Sequence, residues 1–206
     1  MTGVPGERGG DLFPGLSSAD VATAGRDRVG VVLGLPPAWR HASLVASAFT
    51  ASGVAGDNLV LHRALAEAPS GSALVASLIG DTPAGHWGEL MCVAASAAGI
   101  RGLVVSGTVR DVARIEARRF PVFHAGVGPR PATKSYPGEL GKPVRIGDVT
   151  ISTGDLIVAD TDGIVVVPRS HVDVVLSDVA ALQQRETELV ELLEGGVTTL
   201  EALGLE

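Results

Sequence analysis

In its central part the chain alternates short apolar runs with stretches that have a helical pattern. Apolar residues at 73–78, 103–105 and 121–123 suit buried strands, and helices are predicted between them over about 88–98 and about 109–118. Strands that alternate with helices are typical of parallel α/β units, because the chain needs a crossover before the next parallel strand can begin. Aromatic residues make up only 3% of the chain, so the core is expected to consist of Ala, Val, Leu and Ile. The alternation therefore predicts an α/β fold.

Beyond about residue 140 the pattern changes to short apolar runs separated by Gly–Asp or Asp–Gly pairs. Such pairs favour turns, because both residue types accept turn geometry. The predicted strands are 144–146, 149–151, 156–159 and 164–167. They indicate a mostly antiparallel β meander, followed by a helix over about 170–194.

Three further elements are predicted upstream of the alternating region. Ser17 or Ser18 is a candidate N-cap for a helix that runs to about Val29. A strand is expected over 44–50, and a short helix over about 57–67.

The domain organisation follows from the spacing of these elements. The sequence has no internal repeat and no clear linker, so a single domain is predicted over 16–206. The Gly- and Pro-rich segment 1–15 is predicted to be flexible.

Composition excludes several classes of function. The formal charge of −7 argues against nucleic acid as a partner, because phosphate binding needs a basic surface. No apolar run approaches the ~20 residues that a membrane helix needs, so no membrane partner is expected. Cys92 is the only cysteine, which excludes an intrachain disulfide and fits a reducing compartment. We therefore predict a cytoplasmic protein.

Gly88 opens the predicted helix over 88–98 and makes its first turn a candidate anion site. Glycine lets a ligand approach the backbone, and the N–H groups of Glu89, Leu90 and Met91 follow it. The alternative is an ordinary helix N-terminus, in which Glu89 complements the helix dipole.

Arg110 and Asp111 follow a predicted strand, at the end where α/β proteins commonly bind ligands. An Arg can bind a carboxylate, and an Asp with several waters can hold Mg²⁺ or Mn²⁺. The alternative is a variant capping box, with Thr108 as N-cap and Asp111 at the third helical position.

Together these segments resemble a known family, over roughly 16–190. Its members include 4-hydroxy-4-methyl-2-oxoglutarate aldolases, related oxaloacetate decarboxylases and proteins called regulator of ribonuclease activity A (RraA). The strongest motifs are those at 87–90, 99–105, 107–111 and 120–123, with support from 57–59, 143–147 and 154–168. The resemblance implies a compact sandwich of two β layers covered by helices (αββα), assembled as a homotrimer or a hexamer.

The resemblance also implies roles for single residues. Gly88, Glu89, Leu90 and Met91 would bind the carboxylate of a pyruvyl substrate through their backbone N–H groups. Arg110 would contact the keto or enolate oxygen, and Asp111 would bind the divalent metal, Mg²⁺ or Mn²⁺. Glu89 would belong to a water network near that metal.

Other positions are left open by the resemblance. An acidic residue from a neighbouring subunit completes the site in the aldolases, and Glu188 and Glu191 are candidates for it. Thr23 and Ser106 stand where the family commonly has Asp.

The predicted function is that of a metal-dependent class II lyase that acts on a small 2-oxo acid. It would cleave 4-hydroxy-4-methyl-2-oxoglutarate, decarboxylate oxaloacetate, or do both, through a metal-stabilised pyruvate enolate. Two alternatives stay open. One is a non-catalytic regulator that binds a ribonuclease, since an acidic surface suits a basic protein. The other is a divergent enzyme with the same pocket, which the departures at Thr23 and Ser106 favour.

Overall fold

The structure, a computed structural model, describes residues 15–205, which contain six α-helices and twelve strands. The helices are α1 (Ser18–Gly25), α2 (Leu59–Glu67), α3 (Glu89–Ala97), α4 (Val112–Ala117), α5 (Val172–Glu194) and α6 (Thr199–Leu203). The strands are β1 (Gly30–Val32), β2 (Leu44–Val54), β3 (Ala73–Ile79), β4 (Ala84–Gly85), β5 (Gly102–Val109), β6 (Val122–Val127), β7 (Arg130–Pro131), β8 (Glu139–Leu140), β9 (Val144–Ile146), β10 (Val149–Ile151), β11 (Leu156–Ala159) and β12 (Ile164–Val167).

Strand β2 is 11 residues long and belongs to two differently built halves of one sheet. Its later part pairs in parallel with β3, which pairs in parallel with β5, and β5 with β6. The carboxyl ends of these strands therefore meet at one edge, which we call the carboxyl edge. The parallel α/β units predicted from the central alternation are confirmed.

The other half of the sheet is antiparallel. The first part of β2 pairs with β11, β11 with β12, and β12 with β1. Strands β9 and β10 form a separate antiparallel hairpin. The predicted meander is confirmed, and its last two strands continue the main sheet through β2.

The apolar core is divided into three clusters that define the layers. One cluster packs α2, α3 and α4 on the parallel half, and includes Leu61, Cys92, Ile115, Leu74 and Leu103. A second joins the inner faces of both halves, and includes Val75, Val104, Phe123, Ile157 and Ile164. A third packs α1 and α5 on the outer face of the antiparallel half, and includes Val21, Val158, Val165, Val175 and Val179. These are the αββα layers that the resemblance implied.

Helix α1 begins as predicted but ends four residues early. Ser17 is the N-cap and accepts a hydrogen bond from the N–H of Asp20. The helix ends at Gly25, where an added Cβ would lie 2.4 Å from Cγ1 of Val29, and the chain turns at the next residue, Arg26, whose φ is 51°. The Arg28 guanidinium then donates to the carbonyls of Ala24 and Gly25 and caps the helix end.

Two predictions about the whole chain are not decided by the structure. Residues 1–14 and 206 lie outside the described residues, so the flexible segment 1–15 stays a prediction, as does the single domain over 16–206. Within residues 15–205, no helix combines the length and the apolar character needed to cross a membrane.

Candidate active site

The turn after β4 and the end of β5 are joined by backbone hydrogen bonds at the carboxyl edge. Trp87 bridges to Val109, and the N–H of Arg110 donates to the carbonyl of Trp87 over 2.8 Å. Helix α3 begins directly after this turn, with Gly88 as its N-cap. The start of α3 is therefore placed next to Arg110 and Asp111.

Two glycines, Gly85 at the end of β4 and Gly88 in the turn after it, make room for Arg110 and Asp111. A Cβ on Gly88 would lie 2.6 Å from Oδ2 of Asp111 and 3.1 Å from Cγ of Arg110. A Cβ on Gly85 would lie 2.7 Å from Cβ of Arg110. The backbone of Gly88 is extended, with a φ of −159°, so glycine is needed here for close approach and not for its conformational freedom.

Asp111 has a left-handed backbone, with a φ of 58°, and is the N-cap of α4. Its carboxylate makes no cap hydrogen bond to α4. Instead Oδ2 lies 3.4 Å from the N–H of Glu89 and 3.6 Å from Nε of Arg110. Asp adopts the left-handed backbone more readily than most residues with a Cβ, so its presence here suits the turn into α4.

The capping-box alternative is wrong. Thr108 belongs to β5 and donates its hydroxyl to the carbonyl of Ala84, so it does not cap a helix. Asp111 is the N-cap and not the third helical residue. The predicted helix over 109–118 is shorter for the same reason, because β5 continues to Val109 before α4 starts at Val112.

The first turn of α3 offers fewer free N–H groups than the sequence predicted. The N–H of Met91 donates to the carbonyl of Gly88 over 3.1 Å. The N–H of Glu89 faces Asp111, and the N–H groups of Gly88 and Leu90 have no acceptor among residues 15–205. Of the predicted 88–91 cradle, Gly88 and Leu90 thus have N–H groups available to an anion.

The carboxylate of Glu89 is held by two arginines, Arg114 of α4 and Arg118 directly after that helix. Nη1 of Arg114 lies 3.1 Å from Oε2, and Nη2 of Arg118 lies 2.9 Å from Oε1. The hydrogen bond from Arg118 lowers the pKa of Glu89, burial raises it, and Arg114 lowers it further, so the net shift is downward. Glu89 lines a cavity of about 380 Å³ with Val93 and these arginines. It is therefore an ionised hydrogen-bond acceptor and a weak base.

The side chains of Arg110 and Asp111 are open to solvent, with 41% and 35% of their surfaces exposed. The described residues contain no group of three or more His, Cys, Asp or Glu side chains that could hold a metal ion. Mg²⁺ usually keeps several waters and binds one or two carboxylates together with substrate oxygens. The Asp111 carboxylate fits such an ion when substrate and water complete the coordination.

The two departures from the family pattern have different structural settings. The hydroxyl of Ser106 accepts a hydrogen bond from the N–H of Leu78 over 2.8 Å, at the point where β5 bulges and leaves its regular register with β6. Ser106 thus fills a gap between the ends of β3 and β5. Thr23 lies on α1 and lines a different cavity, with Arg26 and Asp178.

Glu188 and Glu191 are exposed on the C-terminal half of α5. Helix α5 packs mainly against α1 and α6, and among residues 15–205 no ion pair joins Glu188 or Glu191 to Arg110 or Asp111.

The sequence analysis did not predict the roles of three residues near the site. Arg114 and Arg118 lie one helical turn apart, three and seven residues after Asp111, and this spacing could have indicated a shared partner. His86 lies between Gly85 and Gly88 and is fully buried. Its partners are 22 and 30 residues away in sequence, so no local pattern pointed to them.

The fold and this site define an αββα protein with candidate ligand-binding groups at the carboxyl edge of its parallel strands. The chain belongs to the RraA-like family, described as Aldolase/RraA, whose sequence model matches residues 18–166. A relative from Halalkalibacterium halodurans, named "Putative 4-hydroxy-4-methyl-2-oxoglutarate aldolase", is 34% identical over 142 residues, which cover 69% of this chain and 68% of the relative.

Solved structures agree with this assignment. An uncharacterized protein from Pseudomonas syringae is similar with a TM-score of 0.79 and 30% identity, over 91% of this chain and 92% of that one. RraAS2 from Streptomyces coelicolor, described as an unusual member of the RNase ES inhibitor RraA protein family, has a TM-score of 0.72 and 27% identity. That match covers 85% of this chain and 91% of the Streptomyces protein. The family thus includes proteins with names of both kinds, aldolase and ribonuclease inhibitor.

Proposed function

We propose that the protein is a divalent-metal-dependent lyase for small 2-oxo acids of the pyruvyl type. Its reactions would be the retro-aldol cleavage of 4-hydroxy-4-methyl-2-oxoglutarate, the decarboxylation of oxaloacetate, or both. The observation that carries the proposal is the placement of Asp111, whose carboxylate makes no bond to its own helix and lies with Arg110 against Gly88.

Substrate binding follows from the groups that are available. The free N–H groups of Gly88 and Leu90 and the guanidinium of Arg110 would bind the carboxylate and keto oxygen of the substrate. Asp111 would hold Mg²⁺ or Mn²⁺, with water and substrate as the other ligands. When bound, the ion would supply further stabilisation of the negative charge that develops on the keto oxygen.

The chemistry of the chain's own residues differs between the two reactions. Cleavage of the C3–C4 bond leaves its electron pair as a pyruvate enolate, and Arg110 would stabilise that charge by several kcal/mol. Retro-aldol cleavage also requires loss of the C4 hydroxyl proton. Because Glu89 is a weak base, it would not take this proton itself. It would orient a water that accepts the proton and passes it to solvent. Decarboxylation releases CO₂ and needs no such base.

We also propose a homotrimer or hexamer. Large apolar side chains are exposed around the carboxyl edge, among them Ile79, Leu90 and Val127, with Leu90 exposed to 78%. A neighbouring subunit that covered them would bring an acidic residue, for which Glu188 and Glu191 are the candidates. Size-exclusion chromatography with light scattering measures this directly, and a monomer at micromolar concentration would contradict it.

Regulation of a ribonuclease is the second candidate function. The formal charge of −7 and the likeness to an RNase ES inhibitor relative favour it. A divergent reaction in the same pocket is the third, since Ser106 and Thr23 depart from the family pattern. A cytoplasmic location stays a prediction that cell fractionation would test.

The deciding experiment measures pyruvate release from each substrate, with Mg²⁺, with Mn²⁺ and after EDTA treatment. We expect metal-dependent turnover that is restored when the metal is added back. Full turnover of the EDTA-treated protein would contradict the metal's role. No turnover of either substrate, together with inhibition of a ribonuclease, would instead support the regulator.

A further inference from the structure

The imidazole of His86 connects three segments of the chain that meet at the candidate site. Its Nε2 accepts a hydrogen bond from the N–H of Gly56 over 2.7 Å, and its Nδ1 lies 3.0 Å from the carbonyl of Thr108. Gly56 belongs to the loop between β2 and α2, and Thr108 lies two residues before Arg110. The fully buried ring therefore links this loop, the turn before α3 and the end of β5.

The protonation of the ring follows from its partners. A backbone N–H can only donate and a carbonyl can only accept, so Nε2 is unprotonated and Nδ1 carries the hydrogen. A protonated ring would place its Nε2–H against the N–H of Gly56. Burial lowers the pKa of His86, whereas the Thr108 carbonyl and the charge of Asp57 raise it, and the net shift is downward. Both ring nitrogens are occupied, which excludes His86 as a metal ligand or a proton carrier.

The backbone of His86 is fixed as firmly as its ring. Its N–H donates to the carbonyl of Thr108 over 2.9 Å, and Nδ2 of Asn58 donates to its carbonyl over 2.9 Å. Gly107 makes room for the ring, because a Cβ there would lie 3.0 Å from Nδ1. His86, together with the bridge between Trp87 and Val109, thus holds the turn that contains Gly88 on β5.

We infer that His86 is a positioning residue, whose neutral Nδ1–H ring fixes Gly88 against Arg110 and Asp111. The catalytic meaning of this inference rests on the proposed function. The hydrogen bonds of the His86 ring to Gly56 and Thr108 are a property of the fold and can be tested without a substrate.

The test compares the wild-type protein with the variants His86→Phe and His86→Gln. Phe keeps the ring volume but removes both hydrogen bonds, whereas Gln keeps an amide oxygen that can accept from Gly56. Long-range ¹⁵N NMR of histidine-labelled protein is expected to show His86 as the neutral Nδ1–H tautomer. Hydrogen exchange at the amides of Gly56 and Arg110 is expected to be at least tenfold faster in His86→Phe, and partly restored in His86→Gln.

Kinetics provide the functional readout. His86→Phe is expected to lower kcat by about 10- to 100-fold, as found for residues that orient metal-site ligands, with a smaller change in KM. Val21→Ala, in the cluster between α1 and α5, is the control for lost stability. This variant should lower the unfolding temperature while leaving kcat and the hydrogen exchange of the Gly56 and Arg110 amides unchanged.

Three results would overturn the inference. They are an Nε2–H tautomer, unchanged exchange of the Gly56 and Arg110 amides in His86→Phe, and a loss of kcat no larger than that of Val21→Ala. A wild-type protein that turns over no 2-oxo acid would overturn the proposed function instead. The NMR and exchange results would still show whether the His86 ring holds the loop at Gly56 and the turn before α3 in place.

Discussion

The two halves of the sheet differ in what their ends carry. At the carboxyl edge of the parallel half lie a left-handed aspartate, a fully buried histidine and a glycine pressed against charged side chains. The antiparallel half, with α1 and α5, is covered mainly by aliphatic side chains that alternate between its two faces. The difference indicates that the antiparallel half mainly supports the fold, while the parallel half carries buried polar groups and closely packed charged side chains that can form a site.

The largest effect is expected from removing the charge of Asp111. Asn tolerates the left-handed backbone as Asp does, so Asp111→Asn should fold normally. We expect pyruvate release to fall by about 10³-fold, which corresponds to roughly 4 kcal/mol of lost stabilisation. Asp148→Asn, in the exposed β9–β10 turn, is the control and should keep full activity. Equal rates in the two variants would contradict the comparison.

In the antiparallel half we expect a substitution to lower stability and leave activity unchanged. Ile157 is fully buried between the two halves of the sheet. Ile157→Ala should lower the free energy of unfolding by about 2–5 kcal/mol, because it leaves a cavity. Urea unfolding measures this, and kcat of the folded fraction should stay within twofold of wild type. A large loss of kcat would mean that the two halves are not separable in function.

Two glycines allow the same steric change to be made in each half. A Cβ on Gly88 would lie 2.6 Å from Asp111 Oδ2, and a Cβ on Gly30 would lie 2.5 Å from Cγ1 of Val149. We expect Gly88→Ala to lower kcat about 10- to 100-fold with little loss of stability, because it displaces the Asp111 carboxylate. Gly30→Ala should lower stability and leave kcat unchanged. The prediction fails if both variants lose only stability.

The pH dependence of stability tests the buried polar groups of the parallel half. Burial raises the pKa of Asp57, but hydrogen bonds from Thr133 and the N–H groups of Leu59 and Ser135 outweigh it and lower the pKa from 3.8 to about 2. Because the folded pKa is the lower one, the stabilisation is complete above pH 4 and is lost as the pH falls towards 2.

That stabilisation is about 2 kcal/mol, from the shift of the Asp57 pKa to about 2. The free energies of unfolding of wild type and Asp57→Asn, measured with urea, should therefore differ most at pH 5. This difference should fall by roughly half at pH 3. A difference that does not depend on pH would contradict the lowered pKa.

The smallest effect separates the two reactions. Glu89→Gln keeps a hydrogen-bond acceptor but loses the charge that Arg114 and Arg118 hold. We expect retro-aldol cleavage to fall roughly tenfold, at the low end of acid–base contributions, and oxaloacetate decarboxylation to change less than twofold. Equal losses in both reactions would show that Glu89 supports the site in general and not the proton step.

Much of the fold could be predicted from the sequence, because its signals are local. Apolar runs gave β3, β11 and β12, and Gly99, which follows α3, marked the end of that helix. The predicted end of α1 was wrong, because the left-handed backbone of Arg26 and the close approach of Val29 to Gly25 are visible only in three dimensions.

The candidate site was less predictable. The sequence indicated Arg110, Asp111 and Gly88, which the fold does bring together. The sequence wrongly suggested a capping box at Thr108. The hydrogen bond that the Thr108 hydroxyl makes instead, to the carbonyl of Ala84, spans 24 residues and leaves no local signal. His86 and the arginines that hold Glu89 act over similar separations, so no periodicity or short motif could assign their partners.

Oxalate binding tests the central claim most directly, because oxalate is a planar dianion that resembles a pyruvate enolate. Titration calorimetry would measure its affinity for wild type, Arg110→Gln and Asp111→Asn, each with and without Mg²⁺. We predict that wild type binds oxalate only with Mg²⁺, and that either variant weakens this binding by at least 100-fold. Equal binding without Mg²⁺, or by Asp111→Asn, would contradict the claim that Asp111 and Arg110 form the reactive site.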